Sequence, residues 1–89
     1  MHSKAPPRNR LAKVLPKEWR EYLQGQGVPK RKYTAILRAE LVGGAVIEEM
    51  IVEQGWIVAL DRTGLVGNDE RPIALDPRQI TGVKIIQVI

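Results

Sequence analysis

The stretch YTAILRAELVGGAVIEEMIVEQGWIVAL, residues 33–60, decides how this chain folds. Over 33–42 it alternates, with Tyr33, Ala35, Leu37, Ala39 and Leu41 on one side and Arg38 and Glu40 on the other. That period of two belongs to a strand with one buried face. Gly43 and Gly44 supply the turn that follows, because glycine takes a positive φ without steric penalty. A second strand is expected over 45–54. Its alternation breaks at Glu48 and Glu49, neighbouring carboxylates that cannot both face a core, so the spacing predicts a β-bulge and a sharp bend. After Gly55 a third strand, 56–61, sets Trp56, Val58 and Leu60 on one face.

Toward the C-terminus, 62–70 reads as a loop with Gly64, Gly67 and Asn68 as its turn residues. Pro72 makes the next strand, 71–75, an edge strand or a late starter, since proline has no N–H for a ladder. Asp76-Pro77-Arg78-Gln79 reads as one tight helical turn, with Asp76 as its cap. The last strand, 81–89, has Lys84 and Gln87 as its only strongly polar residues from Val83 onward. Such a strand is buried on both faces or pairs with another chain. Toward the N-terminus, Pro16 opens a short helix over 16–24, in which Trp19, Tyr22 and Leu23 fall at i, i+3 and i+4. Gly25, Gly27 and Pro29 stop it. Two turns are too few to stand alone, so this helix must dock through Trp19 and Leu23. Residues 1–14, with Pro6 and Pro7 among cations, read as a disordered basic arm. The expected fold is mainly β: one domain over 15–89, a short N-terminal helix followed over 33–89 by a five-stranded, strongly bent small β-barrel.

The chain resembles the Sm-like family, and within it the bacterial Hfq type, over roughly 19–86. The likeness is carried by the short helix, by Ala35-Ile36-Leu37-Arg38 leading through Gly44 into Ala45-Val46-Ile47, by Ile51, by Ile57-Val58-Ala59-Leu60, and by Ile80-Thr81-Gly82-Val83. It implies a ring-forming barrel of Sm-like, Src-homology-type architecture, with nucleic-acid binding as its commonest use. The second motif of the Hfq type carries an aromatic, a lysine and a histidine for uridine; here Leu75-Asp76-Pro77-Arg78-Gln79 stands in that place. Only Arg78 is suited to a related role, and the pocket is not carried over.

Charge divides the chain. Residues 1–33 hold nine cations against two carboxylates, a net +7, and residues 34–89 hold five cations against eight, a net −3. A basic segment attached to an acidic, aliphatic domain points to a polyanionic partner. The candidate nucleic-acid contacts are Lys4, Arg8, Arg10 and Lys13 in the arm, then Lys30, Arg31 and Lys32 with Tyr33, an aromatic directly after three cations. Arg78 joins them by the family likeness. Tyr33 also suits the core of the first strand, and the arm's cations also suit the acidic surface of a neighbouring copy. Nucleic acid, RNA ahead of DNA, is therefore the leading partner, with a protein–protein assembly module as the alternative.

Enzyme chemistry lacks its parts. His2 is the only histidine and Ser3 the only serine, so no Ser/His or Cys/His nucleophile can be assembled. Glu48 and Glu49 point to opposite faces of a strand, and Asp61, Asp69, Glu70 and Asp76 match no calcium loop. No catalytic residue, metal, cofactor or small-molecule substrate is expected. Without cysteine the chain has no disulfide, and so small a domain commonly adds buried surface by self-association, here expected as a homo-oligomer of cyclic symmetry. No long apolar segment indicates a membrane span or signal peptide, and a cytoplasmic protein is expected.

Overall fold

A computed structural model describes residues 9–65 and 71–89 of the chain. Five strands form one antiparallel sheet: β1 (Lys13–Val14), β2 (Thr34–Leu41), β3 (Val46–Glu53), β4 (Trp56–Ala59) and β5 (Ile80–Val88). Helix α1 (Lys17–Gly25) lies between β1 and β2, and single 3-10 turns occupy Arg62–Leu65 and Pro77–Gln79. Strand order is β1-β4-β3-β2-β5, so β1 and β5 are the edges and the sheet is open rather than a closed barrel among the described residues. The segment 71–75, expected as a strand, forms none; its backbone instead turns on itself, Leu75 N–H donating to Ile73 O at 2.8 Å.

The bend expected at Glu48 and Glu49 is written in the register. Leu37 pairs with Met50 and Ala39 with Ile47, so two steps on β2 match three on β3, and the extra residue falls at the two glutamates. A bulge there lets Ile47 and Met50, three apart, both pack on the main core. A second irregularity, between the pairs Ile51–Ala59 and Val52–Ile57, falls at Val58. It splits the expected Trp56, Val58 and Leu60 face. Trp56 and Val58 pack with Ile36 and Ile51 on one side of the sheet, whereas Leu60 packs on the main core on the other.

Two findings correct the reading of the N-terminal third. Residues 9–14 are folded in place, not disordered, and they run along the free edge of β4. Lys13 and Val14 pair with Ile57 and Trp56, and Leu15 N–H donates to Gly55 O at 2.8 Å. Asn9, 4% exposed, donates from its side-chain amide to Val58 O at 3.1 Å and to Arg71 O at 3.0 Å, while its Oδ1 accepts from Leu11 N–H at 2.8 Å. Leu15, directly before the helix, is fully buried. The second correction concerns the tyrosines. Trp19 and Leu23 dock α1 as expected, but Tyr22 is 40% exposed, touching Trp19 edge-on with ring centroids 6.2 Å apart.

Helix α1 has Pro16 as its cap with no side-chain hydrogen bond there, so docking must hold it. Burying Leu23 supplies about 2 kcal/mol. Its C-terminus is closed by backbone alone. Val28 N–H reaches back to Leu23 O at 3.0 Å and Gly27 N–H to Gln24 O at 3.1 Å, with Gly27 at φ +95°. Val28 packs with Leu23 in the core, which completes the Schellman arrangement. That reversal throws residues 29–32 back alongside the helix, and Lys32, at φ +55°, swings the chain into β2.

Candidate nucleic-acid interface

The three lysine-run cations sit on that reversal. Lys30, Arg31 and Lys32 are all exposed, and Lys30 lines a hollow of about 100 Å³. The hollow is walled by Arg20 and Gln24 of α1, by Pro29, by Tyr33, and by the Gln54–Gly55 turn between β3 and β4. Both turn residues have positive φ, +51° and +88°, the pairing that a two-residue hairpin turn of matching twist requires. A side chain at Gly55 would meet Arg20 Cδ at 3.2 Å, so glycine is what lets the Arg20 stem lie across the turn. The Nε of Arg20 is buried with no hydrogen-bond acceptor.

Ion pairing separates two classes of cation. After residue 34 four arginines are each matched to a carboxylate: Arg38 to Glu48 at 3.6 Å, Arg62 to Glu49, Arg71 to Asp61 at 3.9 Å, and Arg78 to Asp76 at 3.1 Å. On the helix, Lys17 meets Glu21 at 3.9 Å. Arg20, Lys30, Arg31 and Lys32 have no carboxylate within ion-pair distance among the described residues. Positive potential therefore collects where α1, the reversal and the Gln54–Gly55 turn meet.

The remaining predicted contacts are placed elsewhere. Tyr33 is 7% exposed and belongs to the main core, so its ring is not open for a base to stack upon. Burial pushes the ionisation of its hydroxyl up, opposed by a backbone hydrogen bond with Gly55 and by the charge of Arg20. Lys13 spends its ammonium on Leu75 O at 2.8 Å, tying β1 to segment 71–75. Arg78 forms a two-pronged contact with Asp76, both Nε to Oδ1 and Nη2 to Oδ2 at 3.1 Å. Asp76 also caps its 3-10 turn by accepting from Arg78 N–H at 3.0 Å, and these bonds hold its carboxyl below the usual carboxylate range. Arg10 is exposed, and Lys4 and Arg8 lie outside the described residues, as do Asp69 and Glu70.

Sequence reasoning missed Arg20, Gln54 and Gly55. A signal was present: Gln54-Gly55 between two apolar runs is a hairpin turn, and whatever crosses a glycine turn can approach it closely. Glu48 and Glu49 part company at the bulge, each toward a different arginine, and do not converge on one site. Among the described residues no three His, Cys, Asp or Glu side chains gather within reach of a metal ion, and no helix is long and apolar enough to cross a membrane.

Compared with known proteins, the chain matches no family model, no curated protein and no solved structure.

Proposed function

We propose that this chain is a self-associating small β domain of the Sm-like kind, a strongly bent and incompletely closed barrel, that binds nucleic acid through Arg20, Lys30, Arg31 and Lys32. One observation carries the reading. The four arginines after residue 34 are matched to carboxylates of their own chain, while these four cations have none within ion-pair distance among the described residues. Four of the acidic surface's carboxylates are thereby already engaged, which leaves a neighbouring copy less able to neutralise the basic segment and favours a polyanion from outside. RNA ahead of DNA is the choice implied by the Sm-like resemblance.

Self-association is supported by β5. It is a nine-residue edge strand whose outer backbone has no partner among the described residues, and Ile86, Val88 and Ile89 are 46, 43 and 62% exposed. A long apolar edge invites a further strand, and a second copy of this chain is the partner that brings the same edge. The same observation favours the second reading, an assembly module with no nucleic-acid ligand.

Fluorescence anisotropy with a labelled single-stranded RNA and its DNA counterpart, over a salt series, separates the two. The triple substitution Lys30→Ala, Arg31→Ala, Lys32→Ala is expected to weaken RNA binding by about 100-fold at low salt and to flatten the salt slope by about two to three. No binding at low salt, or binding indifferent to the triple substitution, overturns the proposal. Sedimentation equilibrium reports the assembly, and a monomer at micromolar concentration overturns the self-association.

A further inference from the structure

We infer that the hollow between α1 and the Gln54–Gly55 turn is a seat for a single phosphate group, held between Arg20 and Lys30. The inference rests on the nucleic-acid reading of this surface for the source of that group, but its geometry stands separately. Two cations line the hollow, no carboxylate does, and neither cation has an acidic partner among the described residues. Two like charges beside one recess, one of them with its Nε buried, repel each other, and an anion between them relieves that repulsion. The Nε–H of Arg20 has no acceptor although it is out of water, and a buried donor of that kind marks the place of a missing one.

Size and shape narrow the ligand. At about 100 Å³ the recess holds the equivalent of about three waters, room for a tetrahedral oxyanion and too little for a nucleoside. Its apolar wall, Leu23 and Pro29, offers no competing acceptor, and the buried Tyr33 hydroxyl stays protonated and able to donate. The helix end, whose carbonyls repel an anion, is masked: the carbonyls of Tyr22, Leu23 and Gln24 already accept from Gln26, Gly27 and Val28. Gly55 is required because a methyl group there would displace the Arg20 stem at 3.2 Å. An arginine fork with an ammonium opposite is the donor set that planar and tetrahedral oxyanions take.

The test is nitrogen–proton correlation NMR on the full chain, in which Arg20 Nε–H is a reporter of its own. Inorganic phosphate in the millimolar range is expected to move Arg20 Nε–H and the Gly55 amide in a saturable way, and chloride is not. Lys30→Ala, a change at an exposed loop residue, is expected to weaken phosphate binding by about tenfold, as is Arg20→Gln, whereas Lys84→Ala on distant β5 leaves it unchanged. RNA oligonucleotides with and without a 5′-phosphate then identify the source: a gain from the terminal group assigns a chain end, and equal shifts assign an internal phosphodiester. Absence of saturable shifts with phosphate, while RNA still binds, overturns the seat and leaves the nucleic-acid reading standing. Phosphate shifts without any RNA binding uphold the seat and overturn that reading. If neither ligand moves Arg20 or Gly55, both fall.

Discussion

Replacing Asn9 with alanine should destabilise this domain by loosening the segment before the helix from the sheet. Its side chain is buried and spans two pieces of chain, donating to Val58 O in β4 and to Arg71 O while accepting from Leu11 N–H. Alanine leaves the buried Val58 carbonyl without that donor, which costs about 1–3 kcal/mol, and the two part-buried groups add about 0.5–1 kcal/mol each. The sum is about 2–5 kcal/mol against a total stability of about 5–15 kcal/mol for a small domain. In a chain of this length that lowers the midpoint of thermal unfolding by roughly 8–40 °C. Urea unfolding followed by tryptophan fluorescence measures it, since Trp56 lies opposite Val14 in the β1–β4 register. Hydrogen exchange at the Leu15 amide, bonded to Gly55 O, reports local detachment of the segment separately. Asn9→Asp keeps the acceptor and loses both donors, so it should be at least as damaging. An Asn9→Ala protein within about 0.5 kcal/mol of the parent, with unchanged exchange at Leu15, refutes the reasoning. The same arithmetic implies that nucleic-acid contacts are best tested by substitution, because deleting residues 1–13 removes a structural strand.

Three further outcomes follow from the geometry. Gly55→Ala meets both a positive φ of +88° and the Arg20 stem, and should cost about 1–3 kcal/mol, whereas Gly25→Ala, in the last turn of α1 with open space around it, should be neutral or stabilising by up to about 1 kcal/mol; paired urea titrations compare them. Tyr33 ionises above its ordinary range in the folded chain, so its contribution to stability is complete below about pH 10 and is lost as pH rises through the folded value; tyrosinate absorbance on a Tyr22→Phe background isolates it, and ionisation at or below pH 10 contradicts its burial. Asp76 is shifted the other way, so its contribution is present above about pH 4 and disappears as pH falls through its lowered folded value; Arg78→Ala should return the Asp76 carboxyl to the ordinary range by carbon-detected NMR titration.

The parts of the fold that were legible in the sequence are those set by local chemistry. Alternation over 33–42 places Ala35, Leu37 and Ala39 in the core, because successive side chains of a strand leave opposite faces and only one face is dry. Two adjacent glutamates in an apolar run announce the bulge for the same reason, and Asp76-Pro77 announces its turn through a cap that serves the backbone N–H of nearby Arg78. Exposed Lys30, Arg31 and Lys32 were equally readable, since a run of cations around a chain reversal has no apolar surface to seek.

Tertiary structure alone decided the rest. Asn9 finds partners 49 and 62 residues away, and nothing in its neighbours encodes carbonyls that far along the chain. That contact helps turn an expected loose arm into the edge strand of the sheet, where the Lys13 ammonium donates to Leu75 O. Tyr33 follows three cations and Tyr22 sits on the docking side of a helix, yet Tyr33 is the buried one, packed in the main core, while Tyr22 stays 40% exposed. Arg20 enters the site only because a glycine in another hairpin leaves room for its stem. Periodicity and turn chemistry act between near neighbours and so determined the strands, the bulge and the basic run; which cations remain unpaired depends on carboxylates delivered by distant strands, and only the folded chain sets those distances.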